Sequence, residues 1–130
     1  MATLTPTLTL VSTDVTSDDL SLSVSDALGV GAPSSGISRV AIAASGGSDT
    51  ALKPAGSAGN HYFYIKHTGK QGDGTTDATG AVLLKLGSTS LGVFVPGEFS
   101  FFNVINSGVI NAIATDSHTI LVEYGYWTKS

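Results

Sequence analysis

Along most of the chain apolar and polar residues alternate one by one, the period of a strand with one face toward a core and the other toward water. In "TLTPTLTLV" Leu4, Leu8 and Leu10 share one parity, and Thr3, Thr5, Thr7 and Thr9 take the other. Pro6 has no amide hydrogen to give a ladder, which confines the segment to a sheet edge or a bulge. "DLSLSVS" repeats the pattern, with Leu20, Leu22 and Val24 predicted to face inward and Ser21, Ser23 and Ser25 outward. Further strands are predicted over 37–44, 61–67, 81–87, 91–95, 98–105, 108–114 and 118–127, the last with Ile120, Val122, Tyr124 and Tyr126 on one parity. "APSSG" at 32–36 reads as a loop, and the piece around Ala51 and Leu52 is too brief to place. No window of helical length shows apolar spacing of three and four.

Short strands separated by Gly, Ser, Asp and Pro clusters predict an all-β fold, a jelly-roll-like antiparallel β-sandwich of about eight strands. An immunoglobulin-like sandwich is the alternative, weakened by the missing Cys-Trp-Cys pattern. The 130 residues are one domain's worth of chain, so 1–130 is read as a single sandwich. Residues 1–11 are its N-terminal edge strand or an arm that adds a strand to a neighbour's sheet.

"VFVPGEFSFFNVI" (93–105) breaks the alternation. Pro96 fixes the first position of a turn, and Gly97 takes the positive φ that a type II turn needs at the second. Pairing 91–95 with 98–105 across that turn puts Phe94, Phe99 and Phe101 on one side and Leu91, Val93, Val95, Phe102 and Val104 on the other, although a type II turn twists against a tight hairpin. Either way strand 98–105 is apolar on both faces. One face belongs to a core; the other needs a cover, and the chain has no helix to supply one. The expectation is a subunit interface built from Phe94, Phe99, Phe101, Phe102, Val104 and Glu98, with Leu4 and Leu8 from the N-terminal strand. The alternative is a loop or the N-terminal segment folding over.

Composition changes the picture in one respect. Charged residues are only 12% of the chain, and Ser with Thr make up about a quarter, so the surface is polar through hydroxyls and repels other copies weakly. The net charge of −4 and six scattered basic residues argue against nucleic acid. With no cysteine there is no disulfide, thiol catalysis or thiolate metal site. No signal sequence and no apolar run long enough to span a membrane is present, so a soluble protein made in the cytoplasm is expected.

Candidate chemistry is sparse. His61 and His67 share a strand face about 20 Å apart, too far for one metal, and read with His118 as surface or strand-end residues. Asp73 and Asp77 in "QGDGTTDATG" are oxygen ligands of a kind Ca²⁺ favours, but they lack the EF-hand spacing and read as a flexible hairpin tip. Glu98 and Glu123 are the two glutamates and read as solvent-facing or intersubunit groups rather than a glycosidase pair. Tyr62, Tyr64, Tyr124, Tyr126 and Trp127 suggest a sugar-stacking platform, or tyrosines filling a sandwich core and bonding at its edge. No catalytic residue, metal site or cofactor is expected.

"YFYIKHTGKQGDGTTDATGAVLLKLGS", "LGVFVPGEFSFFNVINSG" and "ILVEYGYWTK" together resemble the small β-sandwich virion proteins of tailed bacteriophages. The likeness is to the decoration or cement proteins that coat capsids, as in phages of cyanobacteria and other marine bacteria, and it covers roughly residues 61–130. The resemblance implies a non-enzymatic protein on the capsid exterior, bound to the major capsid protein. It also implies a homo-oligomer at a local symmetry axis, with a trimer favoured. A tail, collar or baseplate component and a carbohydrate-binding module are the alternatives.

Overall fold

The structure, a computed structural model, describes residues 2–56, 59–105 and 107–130. Met1 of the predicted arm, Ser57 and Ala58 of a Gly- and Ser-rich break, and Asn106 after strand 98–105 lie outside the described residues. Among those described, twelve strands and no helix form: β1 (Ala2–Leu4), β2 (Thr7–Ser12), β3 (Leu20–Ser25), β4 (Leu28–Ser34), β5 (Ser38–Ile42), β6 (Thr50–Lys53), β7 (His61–Gln71), β8 (Val82–Leu86), β9 (Thr89–Phe94), β10 (Phe99–Val104), β11 (Ile110–Ala114) and β12 (Ile120–Lys129).

The strands make two antiparallel layers and a separate ribbon. The larger sheet runs β1–β4–β12–β7–β10, with β5 on the other half of β12; the smaller runs β6–β11–β8–β9. β4 and β5 lie end to end along one side of β12, Ser34 opposite Trp127 and Ser38 opposite Tyr124. Taken as one strand, and with the three-residue edge strand β1 set aside with the ribbon it leads into, they leave eight in the sandwich among the described residues. Within those eight the first pairs with the last, the second with the seventh, the third with the sixth and the fourth with the fifth. The strands are thus paired as in one long hairpin folded over into two layers, an all-β antiparallel sandwich.

Alternation along the strands builds the interior. Ile42, Phe63, Ile65, Val104, Ile120 and Val122 point inward from the larger sheet and meet Leu52, Val82, Leu84, Ile110, Ala112 and Ala114 from the smaller. Phe102 packs its ring on Phe63, centroids 5.6 Å apart. The inward parity of β7 also carries both its histidines: the expectation of surface or strand-end residues fails at His67, and His61, which does begin the strand, is buried as well. His67 is satisfied on both sides: its Nδ1 accepts from the Gly69 amide at 3.0 Å, which leaves the proton on Nε2, 3.0 Å from the Gly80 carbonyl.

Two further expectations are corrected. The predicted loop 32–36 begins inside β4, which reaches Ser34; its Pro33 falls where β4 shifts register against β12, between Trp127 and Thr128, a site where the missing amide hydrogen costs no ladder bond. The 91–95 and 98–105 strands do not pair. β9 joins β8 in the smaller sheet and β10 joins β7 in the larger, so the Pro96-Gly97 turn carries the chain from one layer to the other. The turn itself is as expected, with Gly97 at φ 91° and the Glu98 amide 3.0 Å from the Val95 carbonyl. Its twist suits a crossing between layers better than a tight hairpin.

The ribbon is the least conventional part. β2 pairs with β3 and with no other strand. The register of β1 on β4 runs on into it unchanged: Leu4 opposite Leu28, then Thr7 opposite Ser25 and Ser12 opposite Leu20. A single two-stranded ribbon therefore leaves the larger sheet, its pairing interrupted but its register kept around Pro6. Its leucine face, predicted to be inward, is not in the core.

Phe63→Ala is expected to lower stability by about 3–5 kcal/mol in denaturant unfolding, whereas Phe99→Ala stays within about 0.5 kcal/mol in dilute solution. Equal losses at the two positions would contradict this division of inside from outside.

Candidate functional site

The outer face of the larger sheet collects the side chains with the most to offer a partner. Strand pairing sets them in rows. Arg39, Glu123, Lys66 and Phe99 lie abreast across β5, β12, β7 and β10; Gly125, Tyr64 and Phe101 form the next row, and Trp127, Tyr62 and Asn103 the one after. Gly125 is where a side chain would collide: a Cβ there would stand 2.8 Å from the Trp127 ring and 3.1 Å from Ile37. The missing side chain is what lets the indole lie back over the sheet. Leu4 and Pro6, entering from the β1 edge, join Ile37, Tyr64, Phe101 and Trp127 around a shallow depression with Glu123 in its wall.

In the first row Glu123 is held from two sides. Glu123 accepts from the Tyr64 hydroxyl at 2.9 Å and from Arg39 Nε at 3.1 Å. The phenol hydrogen bond leads in holding the Glu123 carboxyl below its usual range, against a smaller opposing effect of burial. Burial, with the carboxylate beside it, pushes the Tyr64 phenol up to about 12. Tyr62 stacks on Phe101 at 5.8 Å between centroids, and the Lys129 ammonium sits 4.9 Å from the Tyr62 ring centre, a cation–π contact.

The candidate interface residues divide. Val104 is in the core, and Phe102 and Phe94 pack against it, so these three are not on the outer surface. Phe99 and Phe101 are on it, 64% and 39% exposed. Leu8 lies on the leucine face of the ribbon, which also holds Leu10, Leu22 and Val24, all exposed. Leu4 is half-buried at the ribbon's root. Glu98 turns back to its own loop, accepting from the Val95 amide at 2.8 Å. The N-terminal segment covers one end of the outer face, reaching the side of Phe101, and leaves both phenylalanines exposed, Phe99 the more so.

The aromatic platform divides too. Tyr124 and Tyr126 pack inward on the core, while Tyr62, Tyr64 and Trp127 stay on the outer face. Asp73 laces its own loop, accepting from the amides of Thr75 and Thr76 at 2.9 Å each. With the Thr76 hydroxyl contributing most, these bonds hold its carboxyl at about 2. Asp77 pairs with Lys70 instead. Among the described residues no three His, Asp or Glu side chains gather as metal ligands.

Besides that of His67, the burial of Lys53 and His61 escaped the sequence reading. Lys53 is fully buried at the end of β6, its ammonium donating to the carbonyls of Pro54 and Gly108 at 2.9 and 2.8 Å; burial lowers its pKa. His61, on the inward face of β7, has its pKa lowered by burial and then by Lys53. The parity His61 shares with Phe63 and Ile65 was the available signal; nothing local marked Lys53. The chain matches no protein-family model and no curated protein.

Because the Tyr64 phenol is raised, its hydrogen bond to Glu123 contributes stability that is whole below the ordinary phenol pKa of about 10 and is lost as pH climbs through about 12. Glu123→Ala is expected to bring this titration down toward the ordinary value in an ultraviolet absorbance titration. The fall is partial, because burial remains; a phenol titration that does not move at all in Glu123→Ala would contradict the carboxylate's share in the shift.

Proposed function

We propose that the protein is a structural component of an assembled particle: a capsid decoration protein of a tailed bacteriophage, bound to the major capsid protein on the outside of the shell. One observation carries the reading, the exposure of Phe99 and Phe101 on a strand whose other face already fills the core. A folded chain gains nothing from two bare phenylalanines, whereas a chain with a permanent neighbour does. The resemblance of residues 61–130 to small virion β-sandwich proteins supports the phage assignment. The low charge density supports assembly, since closely spaced copies repel one another little.

Magnitudes set the style of binding. Burying one large apolar side chain supplies about 1.5–3 kcal/mol, and association costs about 4–15 kcal/mol in lost freedom. Two phenylalanines do not suffice alone. A decoration protein engages a repeating lattice, and linked contacts convert weak single affinities into stable attachment. Bracing of this kind needs no reaction.

A second reading has its own support. The indole over Gly125, beside Tyr64, Glu123 and Arg39, offers an aromatic surface flanked by hydrogen-bonding groups, the combination that sugar rings use. It would make the protein a carbohydrate-binding module.

Counting the protein against the major capsid protein in purified virions tests the first reading. Hundreds of copies are expected; a handful would move it to the tail, collar or baseplate, and absence would remove it from the virion. Glycan-array binding that disappears in Trp127→Ala would favour the second.

A further inference from the structure

The ribbon β2–β3 poses a problem that the sandwich does not solve. Two paired strands with one apolar face are at best marginally stable in water. Here Leu8 and Val24, at the ribbon's base, face Phe99 and Phe101 across an open cleft of about 310 Å³ that Pro6 also lines. Leu10 and Leu22, one step further out on the same face, remain 44% and 41% exposed. The cleft is mainly apolar, with Thr7, Ser25 and Asp26 at the ribbon side, and no described residue fills it.

Charge says what fills it. The ribbon and its flanks hold Asp14, Asp18, Asp19 and Asp26, four of the ten acidic residues, and no lysine or arginine occurs before Arg39. The outer face of the larger sheet has the opposite balance. Arg39, Lys66 and Lys129 lie on it against Glu123, whose charge Arg39 already answers at 3.1 Å. Lys66 stands directly beside Phe99. An acidic, aliphatic ribbon and a basic, aromatic face thus sit on one chain. β10 is the last strand of its sheet, six residues long like β2 and β3, so its free edge matches theirs in length.

We infer that residues 7–25 are an exchange arm: the leucine face enters the cleft over Phe99 and Phe101 of a second copy of this chain, and the aspartate turn meets that copy's Lys66 and Arg39. One chain carries both halves of the contact, so identical copies close into a symmetric oligomer or a ring. The inference stands apart from the capsid role, because it concerns the isolated protein and holds whatever lattice the oligomer binds.

Two variants of the full chain test it. Leu10→Asp with Leu22→Asp spoils the arm and keeps the face; Phe99→Asp with Lys66→Glu spoils the face and keeps the arm. All four positions lie outside the core, and circular dichroism checks that both variants fold. In light scattering across a concentration series the unaltered chain is expected to be an oligomer that weakens as salt rises. Each variant alone should associate at least tenfold more weakly, and mixing the two should recover a one-to-one complex, since each supplies what the other lacks. A monomeric unaltered chain at every concentration would overturn the inference, the arm then being covered by its own chain. A mixture no more associated than its components would overturn it too, leaving another protein as the arm's partner.

Discussion

A two-layer β-sandwich has one interior, and a strand offers that interior one of its two faces. This constraint governs the molecule. β10 spends Phe102 and Val104 on the core and is left with Phe99 and Phe101 outside. The ribbon β2–β3 has no interior at all, and its leucine face is as apolar as any core strand's. Under the proposed assembly, surface of this kind on a chain with so few charges is a demand for a neighbour. The fold meets that demand only in part, where Leu4 and Pro6 cross one end of the outer face.

The crossing at Pro96-Gly97 is what exposes β10 in this way. By sending β9 to the smaller sheet and β10 to the larger, the turn makes both of them edge strands. The carboxylate of Glu98 secures the turn through the Val95 amide, and two backbone bonds tie the turn to His67 of β7. His67 in turn bonds to Gly69 within its own strand and to Gly80 in the loop before β8. A polar network at the end of the sandwich therefore fixes where the aromatic edge begins, linking a buried histidine to the position of the exposed phenylalanines.

Period-two alternation made the strands legible, because a half-buried strand must alternate. It located β3, β7, β8, β10, β11 and β12 closely and identified Ile120 and Val122 as one face of the last. It did not say whether an apolar face finds an interior, so Leu22 and Val24 were predicted to face inward and instead lie exposed beside Leu8 and Leu10. Nor did it choose partners: β9 and β10 are separated by a turn that suits a neighbouring pair, yet each has its partner in a different sheet. β4 was hidden by its Gly and Pro, residues that a strand accepts only where, as here, it is bulged. Of the candidate interface, Phe99, Phe101 and Leu8 are exposed, while Phe94, Phe102 and Val104 went to the core side because the two apolar faces of β10 are indistinguishable without knowing which layer it joins.

The central claim is that the arm is bare on a lone chain and covered in an assembly. Amide hydrogen exchange measured over a range of protein concentrations tests it most directly. The account predicts that protection of residues 7–25 rises with concentration while that of β7 and β12 stays constant. Arm amides as protected as those of β7 at the highest dilution would contradict it.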